Sequence, residues 1–145
     1  MLNLFVMQRF LSPSPIWQQN GIFLLRIIVG GFLIYHGCEV FDKVKMHEYE
    51  TWDTFKGVGK SFLPYLGKSL ELIAGICLFL GLFTRFASMM IMGTLGYITF
   101  FVGGGKVWYE DQHPFLFVLL ALVFIFTGPG NYSLDQFLFK PKTSN

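Results

Sequence analysis

Glu71 is the residue that most constrains how this chain folds. It lies in an apolar run from Phe62 to Phe83, where the only other charged residue is Lys68. A carboxylate near the middle of a membrane-length helix costs ~2.5 to 3.5 kcal/mol on insertion scales, so it normally faces a bundle interior or a wet cavity and has a partner there. We therefore expect Glu71 to point inward and to be neutralised by basic groups on an adjacent segment.

The composition indicates that this chain folds in lipid. Of its 145 residues, 53% are hydrophobic, 18 are Phe and only 14% are charged, unlike a soluble domain. The formal charge of +2 is scattered, and no cluster of Lys and Arg stands beside interleaved aromatic residues as on a nucleic-acid surface. These features favour a lipid bilayer as partner and exclude nucleic acid.

Four apolar stretches predict an all-α fold, an antiparallel bundle of four transmembrane helices that forms a single membrane domain over residues 1–145. A helix crosses a hydrocarbon core of ~30 Å with about 20 residues. The predicted spans are 21–41, 62–83, 85–102 and 114–127. Thr84 is the expected N-cap of the third span, and the polar segment 42–61 suits a loop or an amphipathic helix on the membrane surface.

The N-terminus predicts a short interfacial segment from Leu4 to Leu11, ended by the Ser-Pro repeat of residues 12–15. It has no basic region followed by an apolar core and a small-residue cleavage site. We therefore expect no cleaved signal peptide, and the first span would serve as the insertion signal.

Several ionisable groups are expected at similar depth. At a rise of ~1.5 Å per residue from the loop-side boundary, Glu71 lies ~13 Å deep, and His36 and Tyr97 each lie ~8 Å deep. Arg26 falls ~10 Å further toward the terminal side, within partial reach of Glu71 because both side chains are long. Glu39, one turn from His36, is expected to be solvated or to line the mouth of a pocket.

This polar set suggests proton chemistry. Desolvation raises the pKa of a carboxyl group, and a carboxylate raises that of a histidine, so the pair can hold or pass a proton near neutral pH. We assign Glu71 and His36 as candidate catalytic residues, and Arg26, Tyr97 and Glu39 as candidate substrate-binding residues. The alternative is that these groups only hold helices together, at ~0.6 kcal/mol per contact.

Glycines and cysteines have simpler interpretations. Six glycines around the polar set are expected to allow close helix packing: Gly30, Gly37, Gly67, Gly75, Gly93 and Gly96. Cys38 and Cys77 differ in predicted depth by ~15 Å, too far for a disulfide. Histidines and acids lack the spacing of a metal site, so no metal is predicted.

The chain resembles the DoxX family of small four-helix membrane proteins over about Leu24 to Leu138. The resemblance is carried by Leu24-Leu25-Arg26 with His36-Gly37, by Glu71 within LELIAGICLFLGL, by the turn Gly81-Leu82-Phe83-Thr84-Arg85, and by Gly128-Pro129-Gly130 with Tyr132-Ser133-Leu134-Asp135. It implies a multi-pass protein of the cytoplasmic, or inner, membrane with both termini inside. Lys and Arg near the span ends do not decide this orientation.

The resemblance also implies a link to membrane oxidoreductase systems, including thiosulfate:quinone oxidoreductase and thiol-stress complexes, and hence a membrane or peripheral redox protein as partner. Our leading hypothesis is an oxidoreductase subunit whose polar set binds a lipophilic redox molecule such as a quinone. Arg85 and Asp135 would form a structural polar network that closes the cytoplasmic end.

Two alternatives remain open at this stage. A scaffold or assembly factor without catalysis would hold a partner through the segment 42–61 and its aromatic residues. A small-solute or proton permease would need a continuous wet path, for which four short helices leave room only in a homo-oligomer.

Overall fold

The computed structural model describes Met7, residues 11–55 and residues 59–139. The interfacial helix predicted from Leu4 to Leu11 lies, apart from its Met7 and Leu11, outside the described residues. Over the described part the chain is helical and contains no strand, which confirms the all-α prediction.

The described residues form six α-helices: α1 Gln18–Gly37, α2 Lys43–Glu50, α3 Phe62–Leu80, α4 Thr84–Tyr97, α5 Gln112–Thr127 and α6 Leu134–Phe139. A 3-10 turn, Cys38–Phe41, extends α1, and a second one, Asp53–Phe55, follows α2. A π-helical turn, Ile98–Val102, continues α4. The polar segment between the first and second spans therefore contains a short surface helix, α2, which Asp42 caps by accepting from the amides of Val44 and Lys45.

Three helical stretches among the described residues are long and apolar enough to cross a membrane: Gln18–Phe41, Phe62–Leu80 and Thr84–Val102. The fourth apolar helix, α5, has 16 residues and is therefore only ~24 Å long. It starts at Gln112, two residues before the predicted bound, with Pro114 in its first turn where a missing amide costs nothing.

The four apolar helices pack in chain order. α1 packs on α3, α3 packs on α4, and α4 packs on α5. The contact between α1 and α3 is the most extensive of these. Their facing sides form a small apolar core that includes Leu33, Leu78, Ile91, Ala121 and Phe124. The outer faces expose many large apolar side chains, which accounts for a hydrophobic composition that the core alone would not require.

Glycine allows the close approach of α1 and α3. A Cβ on Gly30 would lie 2.7 Å from the backbone nitrogen of Phe79, and one on Gly75 would lie 2.8 Å from that of Ile34. Gly37 approaches the backbone of α3 in the same way. The expectation of close packing does not hold for the other three glycines, Gly67, Gly93 and Gly96, because a Cβ there would meet no atom within 4 Å.

The tight turn between α3 and α4 is held by the C-terminal segment. Thr84 was expected to cap α4, but the helix starts at Thr84 and its N-cap position is Phe83, which makes no side-chain cap. Asp135 supplies the cap instead, accepting from the amides of Phe83 at 2.6 Å and Thr84 at 2.8 Å. Its own amide donates to the carbonyl of Gly81 at 2.8 Å. A carboxylate at a helix N-terminus is favourable because the amides there lack partners.

Replacing Gly30 by Ala should lower the free energy of unfolding in detergent micelles by about 1 to 3 kcal/mol, because its methyl group would overlap the backbone of α3. Gly31→Ala is the matched control on the same helix, since a Cβ there meets nothing within 4 Å. Both variants gain the same helix propensity, so equal stability of the two would contradict this packing.

Candidate functional site

Lys68 is the centre of a buried polar cluster on the loop side of the bundle. Its Nζ lies 2.8 Å from Glu39 Oε2 and 3.1 Å from Glu71 Oε2, and it donates to the carbonyl of His36 at 3.3 Å. An ammonium group has three donors. All of them are directed at these acceptors, and the Lys68 side chain is only 16% exposed. Lys68 therefore ties α3 to the end of α1.

Glu39 joins this cluster to the surface helix α2. Lys45 Nζ lies 2.7 Å from Glu39 Oε1, and the Tyr49 hydroxyl donates to Glu39 Oε2 at 2.7 Å. Burial, and then the hydrogen bond to Glu39, raise the pKa of the Tyr49 hydroxyl above its usual range. The hydrogen bond to Glu39 raises the pKa of Lys45. Glu39 is thus enclosed by donors and is less solvated than the sequence suggested, because α2 folds over it.

Glu71 is buried, with 6% of its side chain exposed. Its cation is Lys68, three residues earlier on the same helix, rather than a residue of another helix. The spacing was visible in the sequence, since residues three apart on a helix are neighbours. Within residues 11–55 and 59–139, the second carboxylate oxygen of Glu71 accepts no hydrogen bond from a side chain. That oxygen is available to a ligand or a proton.

His36 lies at the outer side of the cluster. Its Nδ1 is 3.9 Å from Glu39 Oε1, and its ring centroid is 5.2 Å from that of His113 on α5. The structure therefore brings together three of the proposed site residues, Glu71, His36 and Glu39. Lys68 and His113 belong to the same set, although sequence reasoning did not assign them to it.

Arg26 is separate from this cluster, which corrects its expected pairing with Glu71. The fully buried guanidinium donates from Nη1 to the carbonyls of Leu78 and Phe79 and from Nη2 to that of Tyr132, at 3.0 to 3.1 Å. The last carbonyls of a helix lack partners and carry the negative end of its dipole. Arg26 therefore satisfies the C-terminus of α3 and stays at the terminal side of the membrane.

The terminal-side network contains Asp135 but not Arg85. Both oxygens of Asp135 accept from backbone amides at the start of α4. Arg85 is exposed and makes no hydrogen bond or ion pair in the part of the chain that the structure describes. The network that closes this end is therefore built from Arg26, Asp135 and backbone groups.

A cavity of about 510 Å³ adjoins the polar cluster. It lies between α3, α4 and the segment that includes α2, and its walls are almost entirely apolar or aromatic. Tyr49 and Lys68 form its polar end, and Trp52 and Phe55 stack on each other in one wall. Gly67 and Gly93 border the cavity, so the space over these two glycines is part of it.

Two hydroxyl groups in the wall make no hydrogen bond to the part of the chain that the structure describes. Other hydroxyls in the helices, those of Ser88, Thr99 and Thr127, donate to the carbonyl four residues earlier. Thr94 and Tyr97 line the cavity one turn apart on α4, and among the described residues their hydroxyls make no hydrogen bond. They are therefore free to bond a molecule in the cavity. Tyr97 was proposed from the sequence, whereas Thr94 was not.

Comparison with known proteins identifies the family. The DoxX family model matches residues 21–104, more than half of the chain. The chain belongs to the DoxX family. It is a membrane protein of that family, because the match coincides with helices long and apolar enough to span a bilayer.

Two relatives of this DoxX protein align over most of both chains. "Putative oxidoreductase CatD" of Bacillus subtilis (strain 168) is 31% identical over 124 residues, which cover 84% of this chain and 90% of the relative. An "Uncharacterized protein" of Haemophilus influenzae is 32% identical over 123 residues, 80% of this chain and 89% of its own. No solved structure gives a significant match.

The DoxX match contains much of the site. Lys68, Glu71, Thr94 and Tyr97 lie inside it, whereas His113 and Asp135 lie beyond its end. In this DoxX protein the residues that line the cavity therefore lie within the matched region, whereas His113 belongs to α5, the fourth apolar helix.

Replacing Lys68 by Met should destabilise the protein by about 3 to 5 kcal/mol, because removal of one partner from a buried ion pair leaves an uncompensated charge. Lys106→Met is the matched control. Lys106 pairs with Glu110 at 2.8 Å, but the two side chains are 59% and 73% exposed, and such pairs contribute little because solvent screens them. Equal free energies of unfolding for the two variants would show that the cluster does not depend on Lys68.

Proposed function

We propose that this DoxX protein is a membrane subunit of an oxidoreductase system and that it binds a quinone-type molecule in the cavity beside Lys68. The observation that carries the proposal is an apolar, aromatic cavity of about 510 Å³ with two unused hydroxyls in its wall. Small-molecule pockets have volumes of ~300 to 1,000 Å³ and a few placed polar groups. The word oxidoreductase in the name of the Bacillus subtilis relative supports the reaction class.

The lining suits a flat ring with carbonyl groups. The stacked rings of Trp52 and Phe55 provide an apolar surface, against which an aromatic or quinoid ring can lie. The hydroxyls of Thr94 and Tyr97 can donate to carbonyl oxygens of such a ring. All three donors of Lys68 are already bonded, so Lys68 does not donate to the ligand. It contributes to the site through its positive charge and by positioning the two carboxylates.

The same lining weighs against the other hypotheses. Apolar walls favour a lipophilic ligand over the hydrated solute that a permease would carry. The aromatic residues of the surface segment, Tyr49, Trp52 and Phe55, line the cavity, and Phe55 is buried. These residues are therefore better placed to hold a ligand than to dock a scaffold partner.

Quinone reduction takes two electrons and two protons, and the proposal divides these between two proteins. A partner redox protein carrying a flavin- or dithiol-type donor supplies the electrons. This DoxX protein binds the ring at the polar end of the cavity, where Lys68 contacts Glu71 and Tyr49 bonds Glu39, and supplies protons through those carboxylates. Glu71 suits that role because one of its oxygens accepts no hydrogen bond from a described side chain.

The proposed membrane is the cytoplasmic one, with both termini inside, as the resemblance of the sequence to DoxX proteins implies. The Lys68 cluster and α2 would then lie toward the outer face, and the Arg26 network toward the cytoplasm. A quinone dissolved in the bilayer would reach the cavity from the side, between α3 and α4.

Filling the cavity should weaken ligand binding. In a Trp17→Phe/Trp108→Phe background Trp52 is the remaining tryptophan, and its quenching by decyl-benzoquinone reports binding. Gly93→Leu should weaken binding about five- to 150-fold, since overpacking costs about 1 to 3 kcal/mol and each 1.4 kcal/mol is a factor of about ten. Gly96→Leu is the control, because Gly96 has equal free space on the same helix and does not line the cavity.

The outcomes distinguish binding at another place from binding that is not specific for a quinone. Thr94→Val and Tyr97→Phe should each weaken binding about two- to tenfold, the effect of losing one hydrogen bond of ~0.5 to 1.5 kcal/mol. Equal affinities of the Gly93 and Gly96 variants would show that the ligand binds elsewhere. No quenching in the parent protein, or displacement of the quinone by decanol, would contradict a quinone-specific site.

The orientation can be tested with single cysteines in a Cys38→Ser/Cys77→Ser background. Glu110 and Gln136 are exposed and lie at opposite ends of the bundle. A membrane-impermeant maleimide should label E110C in intact cells and Q136C only after permeabilisation. The reverse pattern would place the termini outside.

A further inference from the structure

We propose that His113 and His36 form a proton-uptake route from the loop-side surface to the buried carboxylates of Glu39 and Glu71. The inference rests on the proposed function, since reduction of a quinone in the cavity consumes two protons. The cavity walls are apolar, and protons need ionisable groups to reach its polar end. A histidine pair is suited to this because imidazole gains and loses a proton near neutral pH.

The outer half of the route joins two helices. His113 is exposed in the first turn of α5, and its ring meets that of His36, near the end of α1, edge-on with centroids 5.2 Å apart. Phe117, one turn further along α5, packs on His113 with centroids 5.1 Å apart. His113 therefore has one side toward solvent and one toward His36.

The inner half of the route leads to the Lys68 cluster. His36 Nδ1 lies 3.9 Å from Glu39 Oε1, beyond hydrogen-bond range. Such distances often shorten when a site is occupied. From Glu39, Lys68 bridges to Glu71 with contacts of 2.8 and 3.1 Å. A series of neighbouring ionisable groups therefore runs from the exposed His113 to Glu71, with a 3.9 Å gap between His36 and Glu39.

The charges around His36 suit a group that is repeatedly protonated. Glu71 and Lys68 face it from α3, Glu39 from the 3-10 turn and His113 from α5, while the Tyr35 ring packs against it. Glu39 and Glu71 are opposed by Lys68 and Lys45, so the cluster is neutral before a proton arrives. One added proton thus makes the cluster positive only until a ligand takes it.

The transfers balance over one turnover. His113 takes a proton from water and passes it to His36, which passes it to Glu39 or Glu71. The carboxylic acid of Glu39 gives its proton to the Tyr49 hydroxyl, which lines the cavity and releases its own proton to a ring oxygen of the reduced ligand. Two such transfers, with two electrons from the flavin- or dithiol-type donor of the partner protein, convert quinone to quinol and return every side chain to its starting state.

The first test is a histidine titration by NMR, which the presence of only three histidines makes tractable. In labelled protein in nanodiscs, the titration curve of His36 should shift when His113 is replaced by Gln, because His113 is one of the charged neighbours that face it. His47→Gln is the control, since His47 is 80% exposed on α2 and lies beside Glu50. A His36 curve that is the same in the parent protein and in His113→Gln would overturn the route.

The second test follows the protons directly. Two equivalents of ferricyanide take one electron each from decyl-benzoquinol bound in the cavity without taking protons. Two protons are therefore released, and a pH dye reports their rate in stopped flow. His113→Ala should slow this release about tenfold or more, as loss of a proton-transfer group does, and added imidazole should restore it. His47→Ala should not change the rate.

These results distinguish the route from the proposed function. If the parent protein binds no quinone, the proposed function fails and the His36 titration alone decides whether the histidine route exists. If quinone binds but the His113 and His47 variants release protons at the same rate, the route is wrong and the binding site stands. Slowing that imidazole does not rescue would indicate that His113 only packs against His36, and would also overturn the route.

Discussion

The burial of one cation between two carboxylates is the interaction on which this site depends. Lys68, Glu39 and Glu71 would each be costly alone in a low-dielectric interior, and the Lys68 ammonium offsets the charge of both carboxylates while they offset its own. Since Glu39 also binds Lys45 and Tyr49 of α2, the same contacts that cancel charge fasten the surface helix over the bundle. The contacts that neutralise these charges therefore also hold one wall of the cavity in place.

Glycine has two opposite roles in this bundle. At Gly30, Gly37 and Gly75 it removes the side chains that would keep α1 and α3 apart. At Gly67 and Gly93 it leaves space that nothing in the described chain fills, and that space belongs to the cavity. A π-helical turn at the end of α4 lies beside the same cavity, and such turns are frequent at functional sites. The helices are therefore closely packed on one side and open on the other.

The sequence was sufficient for the helical fold because long apolar runs, Gly-Pro breaks and a buried acid are local signals. It was not sufficient for the partner of Glu71. Counting residues gives the depth of a side chain but not the direction it faces around the helix, and Arg26 faces the unpaired carbonyls at the end of α3. The spacing of three residues between Lys68 and Glu71 was the better indication of that partner. The cap from Asp135 joins positions 51 residues apart, and no local pattern reports such a contact.

The contacts of Arg26 and Asp135 have a consequence for biogenesis. Arg26 enters the membrane with the first helix, yet one of its acceptors is the carbonyl of Tyr132, 106 residues later in the chain. The amides at the start of α4 likewise lack these acceptors until Asp135 has been synthesised. During synthesis the nascent hairpin is therefore incomplete until the ribosome has delivered the last tenth of the polypeptide, and premature termination would leave a charged guanidinium without one of its acceptors inside the lipid.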